Sequence, residues 1–327
     1  MDKASIFLNH SEESFRATAL AVFRYQAKNC GVYRRYLRAL DINSEAINTL
    51  EKIPFLPIEF FKTHIVMGKN EVEKLVFTSS GTSGTVPAKH FISDVSFYEE
   101  SFRKGFDLFY GSPQSYAILA LLPSYQERSG SSLIYMVDDL INRSNNKKSG
   151  YFLYNHDKLL HQLEELRDRN IPTLLIGVTY ALLDFVEQHR INFPNLIVME
   201  TGGMKGRRRE LVRSELHQVL CTGFGVSSVH AEYGMTELLS QAYSKGGGVF
   251  SSPPWMKIMI REINDPFSYT GNQQTGGINI IDLANLTSCS FIATQDLGRM
   301  VASGQFEVLG RFDHSDIRGC NLMVQGS

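Results

Sequence analysis

The sequence has few cysteines, and they stand far apart. Four occur among 327 residues, at Cys30, Cys221, Cys289 and Cys320. That number is too small for a disulfide framework, and no two cysteines have the spacing of a metal site. We therefore expect reduced thiols and no metal site built from cysteines.

Long apolar runs and an excess of charge are also missing. No segment approaches the roughly 20 apolar residues that a membrane-spanning helix needs, and the N-terminus lacks an apolar signal core. The 33 basic and 34 acidic residues leave a net charge of -1, so no basic field exists to attract nucleic acid. The composition predicts a cytoplasmic protein with no nucleic-acid partner and no membrane span.

Two widespread nucleotide-binding patterns are absent. A P-loop needs Gly, four residues and then Gly-Lys-Ser/Thr, but Gly81 and Gly84 are too close together and Lys89 is not followed by Ser or Thr. The fingerprint Gly-x-Gly-x-x-Gly does not occur either. We also find no Ser-His-Asp or Cys-His arrangement that would indicate nucleophilic catalysis of the hydrolase kind.

What the sequence does contain is a short loop rich in serine, threonine and glycine. A predicted buried strand, Leu75-Val76-Phe77, leads into it. The loop residues are Ser79, Ser80, Gly81, Thr82, Ser83, Gly84 and Thr85. Glycine lets the backbone bend close to a ligand, so that N–H groups and hydroxyls form a nest for anionic oxygens. Lys89, followed by His90, adds a positive charge near this nest. The alternative interpretation of the serine-rich loop is a flexible linker.

Helical and strand patterns alternate along most of the chain. Helices are predicted within 11–40 and at 97–110, 131–140, 156–168, 180–189 and 207–220, and strands at 116–122, 173–178, 196–199 and 228–231. This alternation favours a largely parallel sheet covered by helices on both faces. Ligands bind at the carboxyl ends of such strands, where we expect the loops 79–90, 201–206 and 232–237.

The composition changes from residue 246 onward. Pairs of glycine and proline separate short apolar runs at 255–263, 278–283, 290–294 and 305–310, which predicts a β-rich lobe. We therefore divide the chain into α/β lobes, residues 1–245, and a β-rich lobe, residues 246–327.

Four motifs occur in an order typical of one enzyme superfamily. Ser80–Gly84, Glu232-Tyr233-Gly234-Met235-Thr236-Glu237, Thr294-Gln295-Asp296-Leu297-Gly298 and Gly310-Arg311-Phe312-Asp313 with Arg318-Gly319 resemble the motifs of adenylate-forming enzymes. Gln295 replaces a glycine of the third motif. The resemblance covers residues 75–319. It looks closest to the acyl-protein synthetase (LuxE-type) group, whose wording is similar to 53–62, 200–206 and 232–237.

The resemblance implies roles for individual residues. Tyr233 would stack on a purine, Thr236 would donate to a phosphate and Glu237 would hold Mg²⁺, which prefers oxygen ligands. Asp296 would accept hydrogen bonds from the ribose hydroxyls. The expected ATP contacts are Ser79, Ser80, Gly81, Thr82, Ser83, Gly84, Thr85, Gly202, Gly203, Glu232, Tyr233, Gly234, Met235, Thr236, Asp296 and Arg311. The groups expected to take part in catalysis are Lys89, His90, Thr236, Arg311 and Cys320.

The resemblance also implies a fold and an activity. The fold is the adenylate-forming large domain, with mostly parallel sheets covered by helices and a β-rich lobe. The activity uses ATP and Mg²⁺ to convert a carboxylic acid, a fatty acid or else an aryl acid, into an acyl-adenylate with release of pyrophosphate. The lid with a catalytic lysine that follows in the superfamily is absent after Gly319.

LuxE-type enzymes pass the acyl group through a cysteine, which makes Cys320 the candidate acceptor. A plain structural role in a final strand is the favoured alternative for this thiol. An acyl-accepting or acyl-donating protein is then an expected partner. Two other functions stay open: a phenylacetate-type CoA ligase, and a nucleotide-binding protein without turnover.

Overall fold

A computed structural model describes residues 3–8, 11–80, 86–202, 211–271 and 273–312. Its α-helices are α1 Lys3–Ile6, α2 Glu12–Asn29, α3 Gly31–Ala39, α4 Phe60–Thr63, α5 Val95–Tyr110, α6 Ser132–Ser144, α7 His156–Asp168, α8 Thr179–Gln188 and α9 Arg213–Phe224. Its strands are β1 Leu56–Pro57, β2 Leu75–Thr78, β3 Lys89–Ile92, β4 Ala117–Leu121, β5 Gly150–Tyr151, β6 Thr173–Gly177, β7 Ile197–Glu200, β8 His230–Tyr233, β9 Ala242–Ser244, β10 Val249–Ser251, β11 Met256–Arg261, β12 Gly276–Asp282, β13 Phe291–Ala302 and β14 Gln305–Arg311.

One large mixed sheet runs through the described residues. The strand order is β11-β12-β13-β14-β10-β9-β8-β7-β6-β4-β5, with β1 paired to β13. The strands from β5 to β8 along this order are parallel, and those from β8 to β11 pair antiparallel. Parallel strands need covering on both faces, which explains why β4 and β6 are buried along their whole length.

Two apolar clusters lie on the two faces of the parallel strands. One contains side chains of α2, α3, α5 and α6 and continues under the antiparallel strands, with Phe23, Phe102 and Phe291 fully buried. The other contains side chains of α7, α8 and α9, with Leu163, Phe185 and Phe224 fully buried. Burying apolar surface on this scale provides most of the favourable free energy of folding.

Local capping explains where several helices begin and end. The side chains of Asp94, Ser131 and Asn155 accept hydrogen bonds from backbone N–H groups in the first turns of α5, α6 and α7. α6 ends at Asn145 and α9 at Gly225, both in the left-handed conformation that stops a helix. These sequence signals are local, and the predicted helix positions agree with the observed ones within a few residues.

Three sequence predictions about strands and helices need correction. β2 and β3 form a separate two-stranded antiparallel sheet, so the serine-rich loop is a hairpin tip and does not follow a strand of the parallel sheet. The predicted strand 228–231 lies at His230–Tyr233, because the residues before it form the turn after α9. The predicted helix 207–220 lies at Arg213–Phe224 within the described residues.

The division at residue 245 remains a prediction. The large sheet continues across that point, since β9 and β10 pair with each other on either side of it. Across the described ranges, no helix is long and apolar enough to cross a lipid bilayer.

Candidate functional site

The serine-rich loop is held at its base by Ser79. The N–H of Ser79 donates to the carbonyl of Ala88 (3.0 Å), and the N–H of Ala88 donates to Ser79 Oγ (2.9 Å). The N–H of Thr78 donates to the carbonyl of Gly130 (2.7 Å), which ties the hairpin to the loop before α6. The Ser79 hydroxyl thus has a structural partner at the place where the loop leaves the strand.

Ser80 and Lys89 are exposed at this hairpin. Lys89 lies opposite Thr78 in the β2–β3 ladder, at the base of the loop. Several predicted site residues lie outside the described part of the chain: Gly81, Thr82, Ser83, Gly84, Thr85, Gly203 and Cys320. The predicted hinge Asp313 and the Arg318-Gly319 pair also lie outside it. Their roles stay predictions.

His90 connects the hairpin to the loop that follows β8. Its side chain is fully buried, with Nδ1 3.0 Å from the carbonyl oxygen of Thr236 and Nε2 2.9 Å from Ser288 Oγ. Because a carbonyl can only accept, Nδ1 carries the proton. Burial lowers the pKa of His90 to about 4, so the ring is neutral near pH 7. These contacts assign His90 to positioning, and its predicted catalytic role finds no support in them.

Two side chains hold the backbone that follows Thr236. Asn285 Nδ2 donates to the carbonyl of Glu237 (2.8 Å). The buried carboxylate of Asp282 accepts from the N–H groups of Leu239 and Ser240, both at 2.9 Å, and from the Ser240 hydroxyl at 2.6 Å. The loop is therefore fixed on the side that faces Asp282 and Asn285, which leaves its other side as the place where a ligand can bind.

Tyr233, Asp296 and Arg311 form one hydrogen-bonded group. Tyr233 Oη donates to Asp296 Oδ2 (2.8 Å), and Arg311 Nε donates to Asp296 Oδ1 (3.0 Å). Asp296 is 5% exposed and Tyr233 is 8% exposed, whereas the Arg311 side chain is 76% exposed. The carboxylate beside it raises the pKa of the Arg311 guanidinium. Three residues from three different sequence motifs thus meet at one point of the sheet.

Glu237 is a buried carboxyl group close to that cluster. It is 7% exposed, and burial raises its pKa to about 7, although the charges of Arg311 and Lys62 act in the opposite direction. No described side chain donates a hydrogen bond to its carboxyl group. A cation would replace the lost hydration, so the donor chemistry fits Mg²⁺. Across the described residues, no group of three His, Cys, Asp or Glu side chains could hold a metal, so phosphate and water oxygens would complete the shell.

Glu232 and Gly234 are packed against each other at the end of β8. A Cβ on Gly234 would lie 2.3 Å from Glu232 Oε1, so a larger residue at this position would displace the carboxyl group. Glu232 is half-buried, and burial, with a smaller effect of Glu200, raises its pKa to about 8. A predominantly protonated carboxyl near pH 7 can both donate and accept a hydrogen bond.

Glu200, which precedes the second glycine loop, was not predicted as a site residue. Its Oε2 accepts from the N–H of Gly202 (2.7 Å) and from Thr179 Oγ1 (3.2 Å). Gly202 has φ of 70°, a conformation that side chains disfavour, so this turn needs glycine. Although burial opposes it, the hydrogen bond from the Gly202 N–H and the nearby side chains of His217 and Arg213, each 3.9 Å from Oε1, keep the pKa of Glu200 below its usual value. Glu200 thus fixes the turn. Its place as a carboxylate at the end of β7 is the sequence feature that could have identified it.

The apolar segment at 53–62 also reaches the site. β1 pairs with β13, and the N–H of Ile58 donates to the carbonyl of Ala293 (3.0 Å). Gln295 Nε2 donates to Glu59, directly beside Asp296. The pairing of β1 with β13 fixes this segment on the sheet, and its contribution of Glu59 and Lys62 to the surroundings of the site was not predicted.

Four aromatic residues, Tyr125, Tyr135, Tyr180 and Phe185, differ in where they pack. Tyr180 and Phe185 belong to α8 and lie in the apolar cluster beneath it. Tyr125 and Tyr135 are different: their ring centroids lie 6.0 Å apart, and Tyr135 packs against the hairpin residue Phe77.

A cavity of about 410 Å³ lies near the carboxyl ends of β4 and β5 and is lined by Leu122, Ser124, Gln126, Glu127, Tyr151, Phe152, Leu153, Tyr154 and Asn155.

Comparison with known proteins gives the fold its parallels. No protein-family model and no curated protein matches the chain. An open conformation of 2-hydroxyisobutyryl-CoA ligase in complex with 2-HIB-AMP and CoA has a TM-score of 0.65 at 13% identity, over 93% of this chain and 70% of the ligase. ATP-bound MatB from Rhodopseudomonas palustris has a TM-score of 0.54 at 17% identity, over 84% of this chain and 52% of MatB.

The chain therefore spans about half the length of MatB and more than two thirds of the hydroxyisobutyryl-CoA ligase. Sequence identities this low establish similarity of fold alone. The adenylate-forming α/β fold expected from the motifs is confirmed by this likeness. Its large sheet is mixed, whereas mostly parallel sheets were expected.

Proposed function

We propose that this protein uses ATP to activate a carboxylic acid as an acyl-adenylate, with release of pyrophosphate. The observation that carries the proposal is the meeting of Tyr233, Asp296 and Arg311, with Glu237 beside them. These side chains offer an aromatic ring, a hydrogen-bond acceptor for ribose, a cation for phosphate and a carboxyl group for Mg²⁺. Solved structures with this fold include 2-hydroxyisobutyryl-CoA ligase with 2-HIB-AMP and CoA bound, and MatB with ATP bound.

The proposed reaction joins two anions. A carboxylate oxygen attacks the α-phosphorus of ATP, and the bond to pyrophosphate breaks with its electron pair on the leaving group. The carboxylate is already ionised near pH 7, so no general base is needed. Positioning and stabilisation of charge are the remaining tasks, which fixed donors perform well. Mg²⁺ would neutralise charge on the phosphate oxygens.

The residues present divide these tasks. Glu237 would hold the metal and Arg311 would reach a phosphate or the ribose. Asp296, oriented by Tyr233 and Arg311, has a carboxylate fixed in one direction and suited to the ribose hydroxyls. Lys89 and the serine-rich hairpin tip would contact the remaining phosphates. The neutral ring of His90 would keep the hairpin and Thr236 at a constant separation.

The acid and the final acceptor belong to the finer part of the proposal. A fatty acid is implied by the resemblance to the LuxE-type group, and an aryl acid is the alternative. For the acceptor we propose a protein thiol, with Cys320 as candidate. A CoA ligase is the second candidate function, and it is favoured by the names of the structural neighbours.

The test of the proposal is exchange of labelled pyrophosphate into ATP with a panel of fatty, aryl and amino acids. We expect Mg²⁺-dependent exchange with at least one acid. Background exchange with every acid, together with normal ATP binding, would show a nucleotide-binding protein without this activity.

The acceptor is tested with the acid that supports exchange. If Cys320 accepts the acyl group, labelled acid stays on the protein through a hydroxylamine-sensitive bond, and Cys320→Ser abolishes the label while exchange continues. If label never appears and free acyl-CoA forms when CoA is added, the protein is a CoA ligase.

A further inference from the structure

A turn of helix near the N-terminus, α4, lies between two of the candidate ligand loops. Glu59, at its start, accepts a hydrogen bond from Gln295, the neighbour of Asp296. Phe61, within it, packs edge-on against His90, with ring centroids 5.3 Å apart. His90 in turn bonds the carbonyl of Thr236, the neighbour of Glu237. One helical turn therefore touches the surroundings of both Asp296 and Glu237.

This placement is rigid. β1, directly before the turn, pairs in parallel with β13, with Leu56 opposite Ile292 and Pro57 opposite Ala293. Leu56 and Phe61 are buried at 0% and 1% exposure, so the turn is anchored on both sides. A side chain that projects from this turn toward solvent therefore starts from a backbone position that is fixed relative to the site.

Lys62 is such a side chain. It follows Phe61 directly and is exposed, and it forms no ion pair with any described residue. Its charge nevertheless acts on Glu237, where burial raises the pKa and Arg311 and Lys62 lower it. An unpaired ammonium group thus lies within electrostatic range of the carboxyl group that would hold Mg²⁺.

We propose that Lys62 binds a phosphate oxygen of the nucleotide, as a cation supplied to the site by the N-terminal part of the chain. The proposal rests on the proposed function, since it names a further contact for the same nucleotide. Lys62 would bring positive charge to the reacting phosphate from the α4 turn, in addition to the charge of Arg311. An ammonium donor is suited to this because it is a mobile point charge with three N–H groups.

The experiment compares nucleotide with nucleoside binding to the ligand-free protein. Lys62→Met removes the charge and keeps most of the side-chain volume. Because a charge-assisted hydrogen bond to phosphate is lost, we expect about 10-fold weaker binding of Mg·ATP, or about 1.4 kcal/mol, and unchanged binding of adenosine. Lys62→Arg keeps the charge and should recover at least half of the loss.

Lys52→Met is the matched control, because Lys52 is an exposed lysine of the same N-terminal segment without these neighbours. It should bind ATP and adenosine as the wild type does. Equal weakening of ATP and adenosine by Lys62→Met would show a structural effect and overturn the proposal, as would no change in either.

Pyrophosphate exchange separates this proposal from the function on which it rests. If the wild type binds ATP but no acid supports exchange, the adenylation proposal fails and the binding comparison still decides the role of Lys62. If exchange occurs and Lys62→Met leaves both ATP binding and exchange unchanged, adenylation stands and Lys62 is not part of the site.

Discussion

Two buried glutamates at this edge of the protein have opposite surroundings. Glu200, 4% exposed, accepts hydrogen bonds from Gly202 and Thr179, and its pKa lies below the usual value. Glu237, 7% exposed, receives no hydrogen bond from another described side chain, and burial raises its pKa to about 7. The protein itself supplies hydrogen bonds to the Glu200 carboxylate. No other described side chain supplies one to the Glu237 carboxyl group, which is thus available to a ligand.

The difference separates a structural carboxylate from a binding one. Burying a charged group costs free energy unless hydrogen bonds or opposite charges compensate. Glu200 has compensating hydrogen bonds, and the one from the Gly202 N–H also fixes the turn at that residue. Glu237 lacks it in the free protein, so a cation brought by the nucleotide would gain its full attraction. Strongly shifted pKa values at such positions are typical of functional sites.

The largest expected effect is on activity. Glu237→Gln removes the charge that would hold Mg²⁺ and keeps the shape, so we expect exchange to fall at least about 100-fold. Thermal unfolding checks that the variant is folded. Near-normal exchange at ordinary Mg²⁺ concentrations would remove Glu237 from the metal site.

The same substitution should stabilise the ligand-free protein at neutral pH. The pKa of Glu237 is raised in the folded state, so the unfolded state gains stability from ionisation as pH rises from about 4.5 to about 7. The wild type should therefore become less stable than Glu237→Gln by up to about 3 kcal/mol above pH 7, and similar to it below pH 4. Urea unfolding at both pH values measures this difference; a constant gap would contradict the assigned surroundings.

Glu200→Gln should show the opposite pH dependence. Its lowered pKa means that its contribution is present above about pH 4.5 and is lost as pH falls through the folded-state value. We expect a loss of about 2 kcal/mol at pH 7, because a neutral amide lacks the charge that strengthens the hydrogen bonds from Gly202 and Thr179. Glu215→Gln, an exposed position of α9, is the control and should change stability by less than about 0.5 kcal/mol. Equal changes in stability for Glu200→Gln and Glu215→Gln would show that Glu200 does not stabilise the Gly202 turn.

The smallest effect concerns the ribose contact. Asp296→Ala should raise the KM for ATP about 10-fold, since a charged acceptor of hydrogen bonds is removed, and change the KM for the acid less than about 2-fold. Tyr233→Phe removes only the hydroxyl that orients Asp296 and should raise the KM for ATP by a smaller factor. Equal weakening of ATP and acid by Asp296→Ala would mean that the ribose contact is misplaced.

Local sequence signals predicted the helices and strands well, and long-range contacts decided the rest. The helix His156–Asp168 was predicted from its period and lies where expected, because its cap at Asn155 acts on the first turn alone. The place of β2 was predicted wrongly, since nothing in four residues distinguishes a hairpin strand from a strand of the parallel sheet. Lys62 and Glu200 were missed because their neighbours in space are far away in sequence.

The motifs by themselves determined which residues are candidates: the serine-rich loop, Tyr233 to Glu237, Asp296 and Arg311. Their residue types and order suffice, because each motif carries its own donors, acceptors and glycines. The tertiary structure alone decided which of them have partners inside the protein. It made His90 a buried connection and gave the Glu237 carboxyl group no hydrogen bond from another described side chain, because hydrogen-bond satisfaction depends on neighbours that the sheet brings together from distant parts of the chain.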